Sequence, residues 1–152
     1  MAEYISPEDF KKLKKELEHL KTEKRKEVAE KLKKAISFGD LSENAAYTEA
    51  KETQAFLEGK ILELENKIKN AVVVVKDAML NIVQIGSLVY LEDDKNRKVK
   101  FKIVGAEQGN PKKGTLSVDS PLGKILLYKK EGMEIEIKVK GDKIKYHIKR
   151  VE

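Results

Sequence analysis

Cysteine is missing from this chain altogether, which excludes a disulfide framework and any thiolate metal site. Tryptophan is also absent, and aromatic residues amount to only 6 %. The longest apolar run, from Ala71 to Val75, is far too short to span a membrane. The first residues, Met1-Ala2-Glu3-Tyr4, lack the basic and apolar regions of a secretory signal. These absences predict a soluble cytoplasmic protein with no membrane association.

Charge is abundant instead. Charged residues reach 38 % of the 152 positions, against a typical quarter, as expected of long solvated helices or a lysine-studded sheet. The chain fits one or two domains, neither able to bury a large core alone. The net charge of +6 is unevenly placed: residues 1–76 hold 16 Lys/Arg against 15 Asp/Glu, and residues 77–152 hold 16 against 11. Positions 11–34 carry 11 basic and 5 acidic residues, whereas positions 35–50 carry Asp40, Glu43 and Glu49 and no cation. An anionic stretch therefore follows a basic one.

Ser6-Pro7-Glu8-Asp9 has the form of a helix start, with Ser6 as N-cap and Pro7 at the first helical position. Phe10, Leu13, Leu17 and Leu20 then follow a coiled-coil seam, which passes to Val28, Leu32 and Ile36 in steps of four around Lys24. This predicts a stutter in the packing rather than a helix end. A second run, Ala46, Ala50, Thr53, Leu57, Ile61, Leu64, Ile68 and Ala71, alternates steps of three and four. Two such runs joined by a short turn make an antiparallel hairpin, with arms of about 30 residues and a length of roughly 45 Å. Gly59 in the second arm is expected to cost about 1 kcal/mol relative to Ala and to permit close approach of the two backbones.

The period changes after Lys76, placing the boundary between a domain at 1–76 and one at 77–152. Val99, Phe101 and Ile103 alternate with lysines, as do Ile135, Ile137 and Val139 with charged residues, and Ile144, Tyr146 and Ile148 with Lys and His; each pattern reads as a strand. Gly141-Asp142 is expected to turn the last two into a hairpin, and Ser120-Pro121 to start a short helix. The second domain reads as a small, mostly antiparallel sheet with one helix. Its lysines fall on the polar side of the strands, which favours a solvated face over a nucleic-acid platform, since interleaved surface aromatics for stacking are missing.

Asp40-Leu41-Ser42-Glu43 sits at the turn of the hairpin and has the spacing of a capping box; with Ser42 as the N-cap instead, Asp40 is free to project. Two carboxylates so placed can together hold a hard divalent cation, yet are too few to bind magnesium alone. A partner would have to complete the set. His19 and His147 are isolated, and Gly105-Ala106-Glu107-Gln108-Gly109 lacks the pattern of a phosphate loop. The chain shows no self-contained active site, so it is not expected to be an enzyme by itself.

The stretch Phe38-Gly39-Asp40-Leu41-Ser42-Glu43-Asn44-Ala45-Ala46-Tyr47, with Ala50-Lys51-Glu52 and Gln54-Ala55-Phe56, closely resembles the signature of the bacterial Gre transcript-cleavage factors, nearer the GreA type. Ser117-Val118-Asp119-Ser120-Pro121-Leu122-Gly123 resembles that family's C-terminal motif, and Ile68-Lys69-Asn70-Ala71 the end of its second hairpin helix. The resemblance implies an α+β protein: an N-terminal coiled-coil hairpin that enters the secondary channel of RNA polymerase, and an FKBP-like C-terminal domain that docks at the channel rim. It implies that Asp40 and Glu43 help the polymerase hold Mg2+, so that its own active site cleaves backtracked RNA at the nascent 3′ end. It further implies RNA contacts at Lys51, Asn44 and Tyr47, with capping and helix packing as the other roles open to Asn44 and Tyr47, and polymerase contacts at Asp119, Ser120 and Pro121. Ile36 stands where the family often has arginine, which should weaken the hold on extruded RNA. A channel-binding regulator that does not promote cleavage is the alternative. Prolyl isomerisation by the second domain is disfavoured by the sparse aromatics, and a channel-entering hairpin is expected to act as a monomer.

Overall fold

A computed structural model describes residues 3–40, 43–106 and 108–152. Contacts divide the chain into two compact units, one of Phe10–Asn70 and one of Met1–Asp9 with Ala71–Glu152. The change of period after Lys76 puts the boundary six residues later and leaves the N-terminal segment with the helices. Segment 3–9 joins the second unit through a pairing between strands far apart in sequence.

The helical unit is the hairpin that the apolar spacing predicts. Helix α1 (Pro7–His19) opens where Ser6 Oγ accepts a hydrogen bond from the Asp9 amide at 3.2 Å. A π-helical turn, Leu20–Lys24, follows, and α2 (Arg25–Ile36) completes the first arm; α3 (Ala45–Asn70) returns as the second. Val28, Leu57 and Ile61 are buried in the seam, flanked by Leu17, Leu20 and Leu32. Burial of a Leu or Ile side chain contributes about 1.5–3 kcal/mol, so this row holds the arms together.

The π-helical turn is the physical form of the stutter. Steps of four overrun a 3.6-residue turn by about 40° each, so Leu20 and Val28, eight residues apart, would diverge on a regular α-helix. In the wider turn the Arg25 amide donates to the Leu20 carbonyl, five residues back, and both leucine and valine stay on the seam. Gly59, by contrast, does not serve a close approach: it is exposed, and a Cβ built on it meets nothing within 4 Å.

In the other unit, β1 (Glu3–Ile5) pairs in parallel with β2 (Ala71–Val73), Tyr4 opposite Val72. A five-stranded sheet runs in the order β5-β4-β3-β7-β6, formed by β3 (Leu88–Asp93), β4 (Lys98–Val104), β5 (Thr115–Ser117), β6 (Glu134–Val139) and β7 (Asp142–Val151). Within this sheet, among the described residues, β4–β5 is the parallel pairing and the others are antiparallel. Helix α4 (Pro121–Leu126) covers the inner face, where Val89, Leu91, Ile103, Leu126 and Ile148 are buried in one cluster. The β6–β7 turn lies at Lys140-Gly141, one residue before the expected position, because both residues take positive φ, 50° and 85°, as a two-residue type I′ turn requires. The architecture is α+β: a long helical hairpin and a mostly antiparallel sheet with one short helix. No described helix is long and apolar enough to cross a membrane.

Candidate functional site

The hairpin tip is built by the ends of α2 and α3. Helix α2 closes with Phe38 and Gly39 amides donating to the Ala35 and Ile36 carbonyls, and Gly39 takes φ 104°, the left-handed conformation that ends helices without strain. Asn44 begins α3. Its Oδ1 accepts from the Tyr47 amide at 3.1 Å, which makes it the N-cap, while its Nδ2 donates to the Ala35 carbonyl at 2.6 Å. One half-buried amide thus ties the start of α3 to the end of α2.

This corrects the capping-box reading of Asp40 and Glu43. Helix α3 starts at Ala45, too late for Asp40 to cap it with Glu43 at its third position; the alternative cap, Ser42, lies outside the described residues. Asn44 accepts from one helix and donates to the other, which an ionised aspartate, an acceptor only, cannot do. Both acids are exposed on the segment between Gly39 and Asn44.

Carboxylates suit magnesium chemically, as hard oxygen donors that tolerate retained water ligands. Among the described residues no group of three or more His, Asp or Glu side chains is placed to hold a metal ion.

Asn44, Tyr47 and Lys51 fall at i, i+3 and i+7 along one face of α3. Tyr47 is half-buried; Lys51 is exposed, its Nζ 3.3 Å from Gln54 Oε1. Behind the tip, a groove of about 290 Å³ between the arms is bordered by Lys31, Lys34, Phe38 and Glu49. The sequence reading missed the groove and Phe38, which is 65 % exposed beside the tip acids. The available signal was an aromatic outside the seam spacing. Ile36 is likewise exposed.

The second motif forms a tight corner before α4. Ser120 Oγ accepts from the Gly123 amide at 3.0 Å and donates to the Ser117 carbonyl at 2.6 Å, and Pro121 occupies the first helical turn. Gly123 is required, since a Cβ there would lie 1.9 Å from the Ser117 carbonyl oxygen. Asp119 and Pro121 are exposed, whereas the Ser120 hydroxyl is engaged by the corner itself.

Charge elsewhere organises the scaffold. Arg25 bonds Glu58 bidentately across the arms, both contacts at 2.9 Å, which raises the guanidinium pKa and lowers that of the carboxyl. Burial pushes the Asp93 carboxyl up, but hydrogen bonds from the Arg97 amide and side chain and the Lys95 amide outweigh it and leave it below its ordinary value. His19 faces Glu23 at 3.0 Å on the first arm, and His147 lies on β7 opposite Glu92 and Glu134.

The sequence matches known proteins along nearly its whole length. Residues 3–73 match the family described as transcription elongation factor, N-terminal, and residues 78–152 the one described as transcription elongation factor, GreA/GreB, C-term. Transcription elongation factor GreA of Clostridium kluyveri is 51 % identical over 143 residues, covering 93 % of this chain and 90 % of that protein. Its namesake from Clostridium acetobutylicum is 47 % identical over 146 residues, 95 % of this chain and 92 % of the other. The solved structure of GreA factor homolog 1 of Thermus thermophilus is 21 % identical, with a TM-score of 0.46 over 100 % of this chain and 99 % of that one. The two family matches and the close identity over most of its length show that this chain belongs to the GreA/GreB family of transcription elongation factors.

Proposed function

We propose that this chain enters the secondary channel of RNA polymerase and stimulates the polymerase's own cleavage of backtracked RNA. The supporting observation is the tip: two exposed carboxylates, Asp40 and Glu43, lie between helix ends that Asn44 ties together. Fastening matters because catalytic positioning is lost with displacements of about 1 Å. The helical arms give the reach, and the exposed Asp119 and Pro121 at the α4 corner give the sheet unit a contact with the polymerase, with Ser120 shaping that corner.

At the tip, Asp40 and Glu43 complete a ligand set begun by polymerase carboxylates. Magnesium held jointly there would supply activation of the attacking water and charge stabilisation at the leaving oxygen. Lys51 offers its ammonium to an RNA phosphate, and Tyr47 borders the same path, with Asn44 holding its helix start in register. The chain acts as a monomer and is not itself a nuclease. Incubation with a stalled, backtracked elongation complex tests this: shortened transcripts should appear with magnesium and vanish with a polymerase whose own magnesium ligands are removed. Cleavage that persists with that polymerase would overturn the reading.

A further inference from the structure

The outer face of the sheet gathers cations around an aromatic ring. Tyr90 on β3 lies opposite Lys100 of β4 and Arg150 of β7, whose charged ends stand 6.0 and 5.9 Å from the centre of its ring. A β-bulge between Tyr90 and Leu91 breaks the pairing with β7, and the extra residue, Lys149, joins Arg150 on the same outer cleft. Lys98 borders the cleft from β4, which encloses about 490 Å³. The four cations are exposed and Tyr90 is half-buried. Lys149 rests 3.6 Å from Glu92 and Arg150 2.5 Å from Glu152, while among the described residues Lys98 and Lys100 have no carboxylate within ion-pair distance.

Cations spaced along a flat strand face attract a phosphate chain, and an aromatic among them stacks an unpaired base. This is the aromatic that alternation alone did not reveal as part of a platform. A duplex keeps its bases stacked and leaves Tyr90 unused, so the fit is to a single strand. Glu92 and Glu152, beside Lys149 and Arg150, offer acceptors for a ribose 2′-hydroxyl, a group that deoxyribose lacks. We propose that the β3–β4–β7 face is a binding surface for single-stranded RNA, separate from the hairpin tip. It rests on family membership only in that a transcription factor works beside nascent RNA, and it holds or fails independently of the cleavage activity.

The test titrates the full chain with a fluorescein-labelled twelve-nucleotide oligouridylate at low salt, following anisotropy and, with no tryptophan in the chain, tyrosine emission. Binding should quench tyrosine emission. Tyr90→Leu should abolish most of that quenching and weaken binding about tenfold, as expected for one stacked base. Lys98→Gln with Lys100→Gln should weaken binding about tenfold and lower the salt slope by about 1.4, the share of two phosphate contacts on a single strand. Lys11→Gln with Lys15→Gln, on the helical unit, should change affinity less than twofold, and all variants should keep wild-type circular dichroism. The proposal is overturned if the sheet variants bind like wild type, if the helical variant alone loses binding, if oligodeoxyuridylate binds as tightly, or if polyglutamate competes as well as RNA.

Discussion

Asn44 Nδ2 lies 2.6 Å from the Ala35 carbonyl, while Oδ1 of the same side chain caps α3. A single amide thereby fixes the spacing of two helix ends on either side of the acidic turn. Asn44→Ala should destabilise the hairpin by about 1–2 kcal/mol, measured by urea denaturation. Asn44→Asp should keep the cap and lose the bridge, with an intermediate effect on stability. If the tip works as proposed, both should lower stimulated cleavage more than polymerase affinity.

Gly59 is a helix-interior glycine with open space where a Cβ would stand. Gly59→Ala should therefore stabilise the chain by about 1 kcal/mol, seen as a raised denaturation midpoint. Loss of stability would show that the arms need the glycine.

Gly123 presents the opposite case, because its Cβ would strike the Ser117 carbonyl oxygen. Gly123→Ala should cost about 1–3 kcal/mol as overpacking and should weaken polymerase docking, measured by co-sedimentation. Ser120→Ala should reproduce part of the defect by removing the cap of α4.

The buried Asp93 carboxylate holds the β3–β4 turn through Lys95 and Arg97. Its folded pKa is lowered, so its contribution is complete above the ordinary aspartate value of about 3.9 and fades as pH falls through the folded value. Asp93→Asn should lower the melting temperature at neutral pH and flatten the loss of stability in acid. An unchanged acid profile would contradict this.

Ile36 is exposed near the tip, where an apolar side chain offers extruded RNA no charge. Release of short fragments should be efficient and rescue of long backtracks poor, with Ile36→Arg improving the latter. Equal release of long and short fragments by the wild-type chain would refute the expectation.

Local signals carried much of the fold. Ser6 and Ser120 announced the helices they cap, and alternation marked β4, β6 and β7. The β1–β2 pairing was not legible, since nothing near Tyr4 encodes a partner at Val72. The π-helical turn showed only as a four-step drift around Lys24, because apolar spacing records the face but not the width of the turn. At the tip, Asp40, Ser42 and Asn44 are all good N-caps, and the choice among them depends on Ala35, nine residues before Asn44. The acids themselves stood out as an anionic stretch after a basic one and through the Gre-like motif around them, although their spacing alone also suited a capping box.

The central claim is that Asp40 and Glu43 act inside the polymerase. Its most direct test compares the wild-type chain with Asp40→Ala plus Glu43→Ala on the same backtracked elongation complex, scoring polymerase binding and RNA cleavage together. The account predicts binding within about twofold of wild type and stimulated cleavage reduced by at least about a hundredfold, the scale of an electrostatic contribution of several kcal/mol. Cleavage at the wild-type rate by a bound double variant would show that the two carboxylates play no part in the chemistry.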